Sequence, residues 1–361
     1  MTQNARVAIF IPTLAGGGAE TSMLTLAKGL AERGYQVDLL LKQKKGELVD
    51  AVSESVRIID FNVPTMRYTL PKMIAYRREY QPKAIISALE LPNMINVLAK
   101  MAVKGTTRTI ISMRGMISHQ KPVYHKKIDR FLQSRLYPQA DIVVCVSHAN
   151  ARDAMKYLGL SASKVKVIYN PVINNQLYNT NIPASFDWIS DPHKKIILAV
   201  GRLEAVKDHK TLLKAFHLVR KNCPSRLIIL GEGSLRNELL QTAVALGISE
   251  DLILPGFIPR PFPIISRSDV LVMSSLYEGL PGVIIQALAC GCPVVSTAIG
   301  GSSEILNGGK YGHLISVGDS QAMAQAILNV LNGDRRLAPP EWLSQFEVDK
   351  NIDQYVNLIE T

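Results

Sequence analysis

Two short motifs place charged side chains directly after apolar segments of strand character. The first, G-R-L-E-A-V-K, carries Arg202 and Lys207 after the segment I-I-L-A-V. The second, E-G-L-P-G-V-I-I-Q, begins at Glu278 and passes through Pro281 and Gly282 into an apolar helix pattern. A helix N-terminus offers free backbone amides and a favourable dipole to anions. With two cations beside it, the pattern predicts a diphosphate cradle, and Glu278 is placed to accept sugar hydroxyls. A nucleotide-sugar site is the leading hypothesis.

Further glycine-rich or charged loops also follow predicted strands. The six loops of this kind lie at 15–20, 114–119, 201–207, 231–234, 256–258 and 278–282. Ligands of open parallel sheets bind beyond the carboxyl ends of the strands, so these loops are expected to converge on one cleft. A dinucleotide fingerprint is disfavoured, because Gly16, Gly17 and Gly18 are consecutive and Lys42 stands where a ribose-binding acid is expected.

Strand and helix patterns alternate along the whole chain. Strands are predicted at 6–12, 35–41, 83–88, 107–112, 141–147, 164–169, 196–200, 226–233, 251–257, 269–274 and 293–297. Continuous apolar strands separated by helices are typical of parallel sheets with covered faces. The predicted fold class is α/β, with two doubly wound Rossmann-like domains facing a central cleft. The domains are expected at 1–171 and 194–340, joined by a polar linker at 172–193, with a C-terminal helix in 341–361.

The composition narrows the class of protein. The chain has 361 residues, 47% of them hydrophobic, which suffices for two sizeable cores. Its four cysteines lack metal-ligand spacing and favour buried, reduced thiols in a cytosolic protein. The short apolar run at 7–14 contains Pro12 and favours a first strand over a signal peptide. No uncharged stretch reaches the roughly 20 residues that a membrane span needs without a glycine or proline break.

Six motifs together resemble the retaining glycosyltransferases of family 4. They are G-G-G-A-E (16–20), G-R-L-E-A-V-K (201–207), G-E-G (231–233), P-G-F (255–257), E-G-L-P-G-V-I-I-Q-A-L-A-C-G-C-P-V-V (278–295) and G-G-S-S-E-I (300–305). The resemblance spans nearly the whole chain. Within the family, the chain resembles bacterial enzymes that assemble surface polysaccharides. It implies the GT-B fold, with the C-terminal helix crossing back to the N-terminal domain. One position departs from the family's E-x7-E motif, since Gln286 replaces its second glutamate. An amide loses a charge-assisted hydrogen bond to the ribose but still binds hydroxyls.

The resemblance implies a role for each candidate residue. The catalytic group would comprise Arg202, Lys207, Glu278 and Arg114. The donor would be bound by Gly16, Gly17, Gly18, Gly201, Gly231, Gly233, Phe257, Ile258, Gly279, Leu280, Pro281, Gly282 and Gln286. Glu20 and His119 would lie on the acceptor side. Structural alternatives stay open: Phe257 and Ile258 as core residues, Gln286 as a surface residue, Glu20 as a favourable charge at a helix start and His119 as a solvated side chain.

The resemblance also implies the reaction and its partners. A hexose or N-acetylhexosamine would pass from a nucleotide diphosphate sugar, expected to be a UDP-sugar, to a lipid-linked or saccharide acceptor. The front-side substitution of this family needs no protein nucleophile, which agrees with the lack of a carboxylate pair. No cofactor and no metal are expected, because the cleft loops contain no acidic D-x-D motif. Two alternatives remain: another sugar enzyme on the same fold, such as an epimerase or a glucan synthase or phosphorylase, and a non-catalytic nucleotide-sugar binding subunit.

The positive charge lies in the N-terminal half. Residues 1–190 hold 25 Lys and Arg against 13 Asp and Glu, a net +12, whereas residues 191–361 hold 16 against 17. The segments 67–80 and 121–137 are basic and rich in apolar or aromatic residues, which suits an anionic bilayer surface, although ordinary amphipathic helices fit them too. A cytoplasmic protein attached to the inner face of the plasma membrane is expected. Nucleic acid is a disfavoured partner, because no basic-aromatic recognition motif is present.

Overall fold

The computed structural model describes residues 4–118, 124–174, 177 and 193–361, except for the side chains of 124–127. The chain divides into two compact units, one formed by Met1–Pro171 together with Gln345–Thr361 and the other by Val172–Ser344. Most of the predicted linker at 172–193 lies outside the described residues.

The first unit is built on a parallel sheet of seven described strands in the order β3-β2-β1-β4-β5-β6-β7. Its strands are β1 Arg6–Ile11, β2 Gln36–Leu41, β3 Val56–Asp60, β4 Ala84–Ala88, β5 Arg108–Met113, β6 Ile142–Cys145 and β7 Val165–Val167. Its helices are α1 Gly18–Glu32, α2 Thr69–Tyr80, α3 Glu90–Ala102, α4 Tyr124–Leu136 and α5 His148–Leu158. The strand order reverses at β1, so the loop after β1, with Gly16 to Gly18, lies at the switch point where ligands bind in such sheets.

The second unit has a parallel sheet of six described strands in the order β10-β9-β8-β11-β12-β13. Its strands are β8 Lys195–Val200, β9 Ser225–Leu230, β10 Leu252–Gly256, β11 Val270–Met273, β12 Val294–Thr297 and β13 His313–Ile315. Its helices are α6 His209–Arg220, α7 Arg236–Ala245, α8 Phe262–Arg267, α9 Gly282–Ala289, α10 Gly300–Ile305, α11 Ser320–Leu331 and α12 Pro340–Leu343. Here the order reverses between β8 and β11, the two strands that precede the two predicted phosphate motifs.

Both sheets confirm the predicted α/β class of two Rossmann-like domains. All eleven predicted strands are present, and the central ones, such as β1 and β8, are almost wholly buried. The sequence patterns did not predict β3 and β13. Each lies at or beside an edge of its sheet, where one strand side meets solvent, and β3 includes Arg57 and Asp60. An edge strand needs fewer apolar residues, so its pattern is weak.

The C-terminal segment folds onto the first unit. A break at 344–347 separates α12 from the last helix, α13, at Val348–Glu360, so 341–361 is not one continuous helix. Helix α13 packs against α1, where a Cβ added to Gly29 would lie 1.9 Å from Cδ1 of Ile352. Arg33 binds two acidic residues of α13, with 2.6 Å from its Nε to Oδ1 of Asp353. The close approach requires glycine at position 29, because any side chain would displace Ile352.

The structure also bears on two expectations from the sequence, one about membrane-spanning helices and one about the cysteines. No helix in the part of the chain that the structure describes is long and apolar enough to cross a membrane. The four cysteines, all within that part, are free thiols. Burial raises the pKa of the Cys145 and Cys292 thiols to about 12 each, so both stay protonated and unreactive.

Candidate functional site

The centre of the predicted site is an ion pair between Lys207 and Glu278. Nζ of Lys207 lies 2.5 Å from Oε1 of Glu278, and the hydroxyl of Ser275 donates to the same oxygen at 3.1 Å. The two charged side chains are 20% and 22% exposed, so the pair is sheltered but reachable from solvent. It forms because β8 and β11 are parallel neighbours, and both residues follow the carboxyl ends of these strands.

Hydrogen bonds fix the two loops against each other. The backbone amide of Leu276 donates to the carbonyl of Val206 at 2.8 Å, and the hydroxyl of Ser274 donates to the carbonyl of Lys207 at 2.7 Å. From β12, the hydroxyl of Thr297 donates to the carbonyl of Ser275 at 2.7 Å. Since Ser274, Ser275 and Thr297 are all buried, these bonds are shielded from water, and they hold Lys207 and Glu278 in register.

Glycines allow the backbone to pack tightly beneath the ion pair. A Cβ added to Gly201 would lie 3.1 Å from Cε of Lys207, so the lysine side chain passes over this glycine. Gly231 has a φ of +147° and approaches so closely that a Cβ would lie 2.1 Å from the carbonyl oxygen of Gly201. Gly233 approaches the carbonyl of Leu203 in the same manner. The predicted glycines 201 and 231 therefore lie together below Lys207, and any larger residue at 231 would displace the β8 loop.

Helix α9 begins directly after the Glu278 loop. Pro281 is its N-cap residue with extended backbone, and no side chain caps it. The Ile284 amide donates to the Pro281 carbonyl at 3.1 Å, which leaves the amides of Gly282 and Val283 at the helix start suited to an anion. Leu280 is buried, whereas Gln286 is half-buried and follows Gly282 by about one helical turn. Helix α9 thus begins four residues after Glu278, and its N-terminus lies at the same end of the sheet as the Lys207–Glu278 pair.

Arg202 is not part of this ion pair. Its side chain is 68% exposed, and Nη1 lies 2.9 Å from Oε1 of Glu204. Phe257, after β10, is 47% exposed, so the alternative that it belongs to the core is wrong. Its neighbour Ile258 is half-buried. Arg202 and Phe257 are therefore accessible to a ligand, whereas Lys207 is held by its ion pair with Glu278.

In the first unit, the predicted residues cluster around Arg114. Its Nη1 donates to Oδ1 of Asn170 at 2.8 Å, and the buried Tyr355 of α13 lies near its guanidinium. Burial lowers the pKa of Arg114 more than Tyr355 and the nearby Glu20 raise it, and its Nε is buried without a hydrogen-bond partner in the structure. A partly desolvated guanidinium next to a glycine loop is a strong binding element for an anionic or hydroxyl-bearing ligand.

The glycine loop itself lies between β1 and α1. Gly17 is the N-cap residue of α1, and the Glu20 carboxylate folds back over it, because a Cβ at Gly17 would lie 2.5 Å from Oε2 of Glu20. The carboxylate of Glu20 therefore faces the helix start, as expected if its role is to place a favourable charge there. The same carboxylate raises the pKa of Arg114. His119 lies outside the described residues.

Sequence reasoning missed two side chains that contact the predicted residues. Tyr355 reaches Arg114 from a helix more than 200 positions later, and no local signal announces it. His209, the first residue of α6, is 5% exposed, and its Nε2 lies 3.3 Å from the carbonyl oxygen of Arg202. Burial lowers the pKa of His209 to about 4, so the ring is neutral at pH 7. Its position two residues after Lys207, next to Asp208, which caps α6 by accepting from the Thr211 amide, was the available signal.

Comparisons with known families define the class of protein. The model described as Glycosyltransferase Family 4 matches residues 16–175, and the model described as Glycosyl transferases group 1 matches residues 194–333. Together the two matches take in most of the chain and include both loop clusters described above. The chain therefore belongs to these glycosyltransferases, which confirms the resemblance seen in its motifs.

Two curated relatives cover almost the full length. The chain is 29% identical over 343 residues to the N-acetylgalactosamine-N,N'-diacetylbacillosaminyl-diphospho-undecaprenol 4-alpha-N-acetylgalactosaminyltransferase of Campylobacter jejuni, with 91% of each chain covered. It is 26% identical over 355 residues to the lipopolysaccharide core biosynthesis glycosyltransferase LpsE of Rhizobium meliloti, with 95% of this chain and 96% of the relative covered.

Solved structures agree on the fold. Anabaena HepE, in complex with UDP and glucose, superposes with a TM-score of 0.83 at 19% identity, covering 99% of this chain and 100% of that chain. A glycosyltransferase from Rickettsia africae gives a TM-score of 0.82 at 17% identity, covering 99% and 98%. At these identities the likeness establishes the GT-B fold.

Proposed function

We propose that this glycosyltransferase moves a hexose or N-acetylhexosamine, with retention of anomeric configuration, from a UDP-sugar to a lipid-linked or saccharide acceptor. The observation that carries the proposal is the Lys207–Glu278 pair at 2.5 Å beside the start of α9. A sheltered cation and a helix N-terminus suit a diphosphate, and an adjacent carboxylate suits sugar hydroxyls.

The proposed reaction is a group transfer that leaves charge on the nucleotide. The acceptor oxygen forms a bond to C1 of the donor sugar while the bond from C1 to the β-phosphate oxygen breaks. The diphosphate departs with the bonding electron pair, and the acceptor proton passes to the departing phosphate oxygen. Lys207, the exposed Arg202 and the first amides of α9 stabilise the negative charge that develops there. These groups carry positive charge of their own, so the proposal includes no metal and no cofactor.

The relatives support the proposed substrates. The name of the Campylobacter relative specifies an undecaprenol diphosphate-linked acceptor, and LpsE is named for lipopolysaccharide core synthesis. The HepE structures contain UDP and, in one, UDP-glucose. We extend these chemistries to this chain, and propose that it works in cell-surface polysaccharide synthesis at the cytoplasmic face of the membrane. Four free thiols fit such a reducing compartment.

The test measures donor binding first and transfer second. Thermal unfolding with UDP, GDP and ADP and their sugars should show one nucleotide raising the unfolding temperature through binding to the folded state. Slow hydrolysis of the matching nucleotide sugar should follow, and NMR of the transfer product should show the donor's anomeric configuration. Inverted product would overturn retention, and nucleotide binding without any hydrolysis or transfer would favour the non-catalytic binding subunit instead.

Lys195 serves as a control for the general effect of removing a lysine charge from the second unit. Lys207 follows the carboxyl end of β8, whereas Lys195 begins the same strand and pairs with Asp269 at the opposite end of the sheet. Lys207→Ala should lose transfer while Lys195→Ala retains it. Equal activities in the two variants would remove the diphosphate assignment.

A further inference from the structure

The loop after β5 carries Arg114 at its start and leads to His119, and the structure describes it from 114 to 118. Loops at the edge of a sheet are usually more mobile than the strands that they connect. This loop is instead held by side chains at both of its described ends. Arg114 donates to Asn170 at 2.8 Å, and the other bonds come from α5, the helix that follows the neighbouring strand β6.

Asp153 of α5 binds the far end of the loop through both of its carboxylate oxygens. Its Oδ2 accepts from the Ile117 amide at 2.5 Å, and the Ser118 amide lies 3.3 Å from each oxygen. The residue is 7% exposed, and the partners that the described residues give its carboxylate are these backbone amides. A carboxylate is costly to bury, so the amides of this loop supply the hydrogen bonds that offset the cost.

Asn150 adds a bond to the middle of the same loop. Its Nδ2 donates to the Gly115 carbonyl at 2.7 Å, while its Oδ1 accepts from the Val146 amide at 3.3 Å. Ser147, the N-cap residue of α5, accepts from the Asn150 amide at 3.0 Å and fixes the first turn of the helix. Residues three apart share a helical face, so the start of α5 presents a donor and an acceptor that match the carbonyl and the amides of the loop.

A second carboxylate of the same sheet shows what differs at the site. Asp141 lies at the amino ends of β5 and β6 and accepts from the Thr109 amide at 2.7 Å. Its side chain is 38% exposed and forms an ion pair with Lys100. At the carboxyl ends of these strands, where the predicted site lies, the carboxylate of Asp153 is instead buried and bound to the loop. A buried, fully hydrogen-bonded group fixes geometry more strictly than an exposed pair does.

We infer that Asp153, together with Asn150, is a positioning residue for sugar transfer, which holds the 114–118 loop so that Arg114 is fixed in the site before the substrates bind. The inference rests on the proposed transfer reaction and deepens it, because Asp153 acts through the loop. Its effect belongs to turnover and not to nucleotide binding, since Lys207 and the start of α9 belong to the second unit. A displacement of about 1 Å in a reacting group is enough to slow a reaction by on the order of 10²-fold.

A double-mutant cycle separates positioning from stability. Asp153→Asn leaves one acceptor oxygen for two amides, and should lower kcat by on the order of tenfold or more with the donor KM unchanged. In the Arg114→Ala background the same change should cost little more, because the guanidinium that the loop positions is already lost. The matched control, Asp141→Asn, should leave kcat unchanged in both backgrounds. Fully additive losses from Asp153→Asn and Arg114→Ala, or a kcat in Asp153→Asn equal to that of the control, would overturn the inference.

Hydrogen exchange tests the clamp without the reaction. The amides of Ile117 and Ser118 should exchange slowly in the wild type and in Asp141→Asn, and faster by on the order of tenfold in Asp153→Asn. If Asp153→Asn does not fold, Asn150→Ala takes its place in the cycle, with a smaller loss of kcat that is again absent in the Arg114→Ala background. Unprotected amides in an active wild type would overturn this inference alone. A wild type that protects these amides but transfers no sugar would overturn the proposed function, and with it the role of Asp153 in turnover.

Discussion

Nζ of Lys207 and Oε1 of Glu278 lie 2.5 Å apart although 71 positions separate them in sequence. The contact exists because β8 and β11 are adjacent strands at the point where the order of the second sheet reverses. Each side chain satisfies the charge of the other. A bound nucleotide sugar would present Lys207 with phosphate oxygens and Glu278 with hydroxyl groups, so the pair keeps both side chains in place for such a ligand.

Removal of either predicted cation should slow transfer. We expect Lys207→Ala and Arg202→Ala each to reduce turnover on the order of 10²-fold, because each removes stabilisation of the departing diphosphate. Steady-state kinetics with the identified donor measure the effect, and Lys195→Ala is the control. Arg202 is far more exposed than Lys207, so its effect should be the smaller of the two. Near-wild-type turnover in both variants would contradict the cradle.

Restoring a carboxylate at position 286 should tighten donor binding. If Gln286 contacts the nucleotide ribose, Gln286→Glu replaces a neutral acceptor by a charged one and gains roughly 1 kcal/mol, or about fivefold in Kd. Titration calorimetry with the nucleotide measures this directly. An unchanged Kd would assign Gln286 to the surface of α9 instead of the ribose.

Chelation should leave the reaction intact. The proposed reaction uses Lys207, Arg202 and the α9 amides to neutralise the diphosphate, so transfer should continue at its full rate in EDTA. The assay compares initial rates before and after exhaustive dialysis against the chelator. A complete loss that added magnesium or manganese reverses would show that the cradle is insufficient.

The buried carboxylate of Asp38 should be essential for the stability of the first unit. Asp38 is 2% exposed and accepts from Arg57 at 2.7 and 2.8 Å, from Tyr76 at 2.6 Å and from Arg6 at 3.0 Å. Asp38→Asn should lower the free energy of unfolding by about 3 kcal/mol, because the buried Tyr76 hydroxyl and the partly exposed Arg6 and Arg57 lose their charged acceptor. Denaturant unfolding measures the change, and Asp50→Asn, at an exposed position, is the control.

The stabilising contribution of the Asp38 carboxylate should be lost in acid. Burial alone raises the pKa of Asp38, but the hydrogen bonds from Arg57 and Tyr76 outweigh it and hold the pKa below its ordinary value of 3.8. A depressed folded-state pKa contributes stability above the unfolded value, and that contribution is lost as pH falls through the folded value. Wild-type and Asp38→Asn stabilities should therefore converge below about pH 3.8. A constant difference between them down to acid unfolding would contradict this.

His209 should make the second unit sensitive to mild acid. Burial lowers its pKa from 6.5 to about 4, so the unfolded chain binds the proton more readily than the folded one between these values. Stability should then decline as pH falls from 6.5 toward 4, by up to roughly 3 kcal/mol for a shift of this size. His209→Gln should remove this part of the slope in unfolding measured against pH. An identical slope in the variant would mean that the ring titrates normally.

The sequence alone determined the fold class, the central strands and the main site loops. Strands buried on both faces must be continuously apolar, so β1 and β8 are evident from their residues. Parallel sheets gather their ligand loops at one edge, so the positions of Lys207 and Glu278 after two such strands suffice to predict that they share a site. Edge strand β3 escaped prediction, since exposure relaxes the apolar pattern that identifies a strand.

Only the tertiary structure decided which way a helical face points and which distant side chain it meets, because sequence periodicity carries neither. Periodicity shows that Phe131 and Gln133 lie on different faces of α4, but only packing shows that the aromatic ring faces solvent and the amide faces inward. Similarly, the contact of Arg114 with Tyr355 depends on α13 packing against α1, where Gly29 admits Ile352. Local sequence fixes the period and the caps of a helix, because these arise within a few residues. The direction that a helical face points, and the distant side chain that meets it, depend on which packing buries most apolar area over the whole unit.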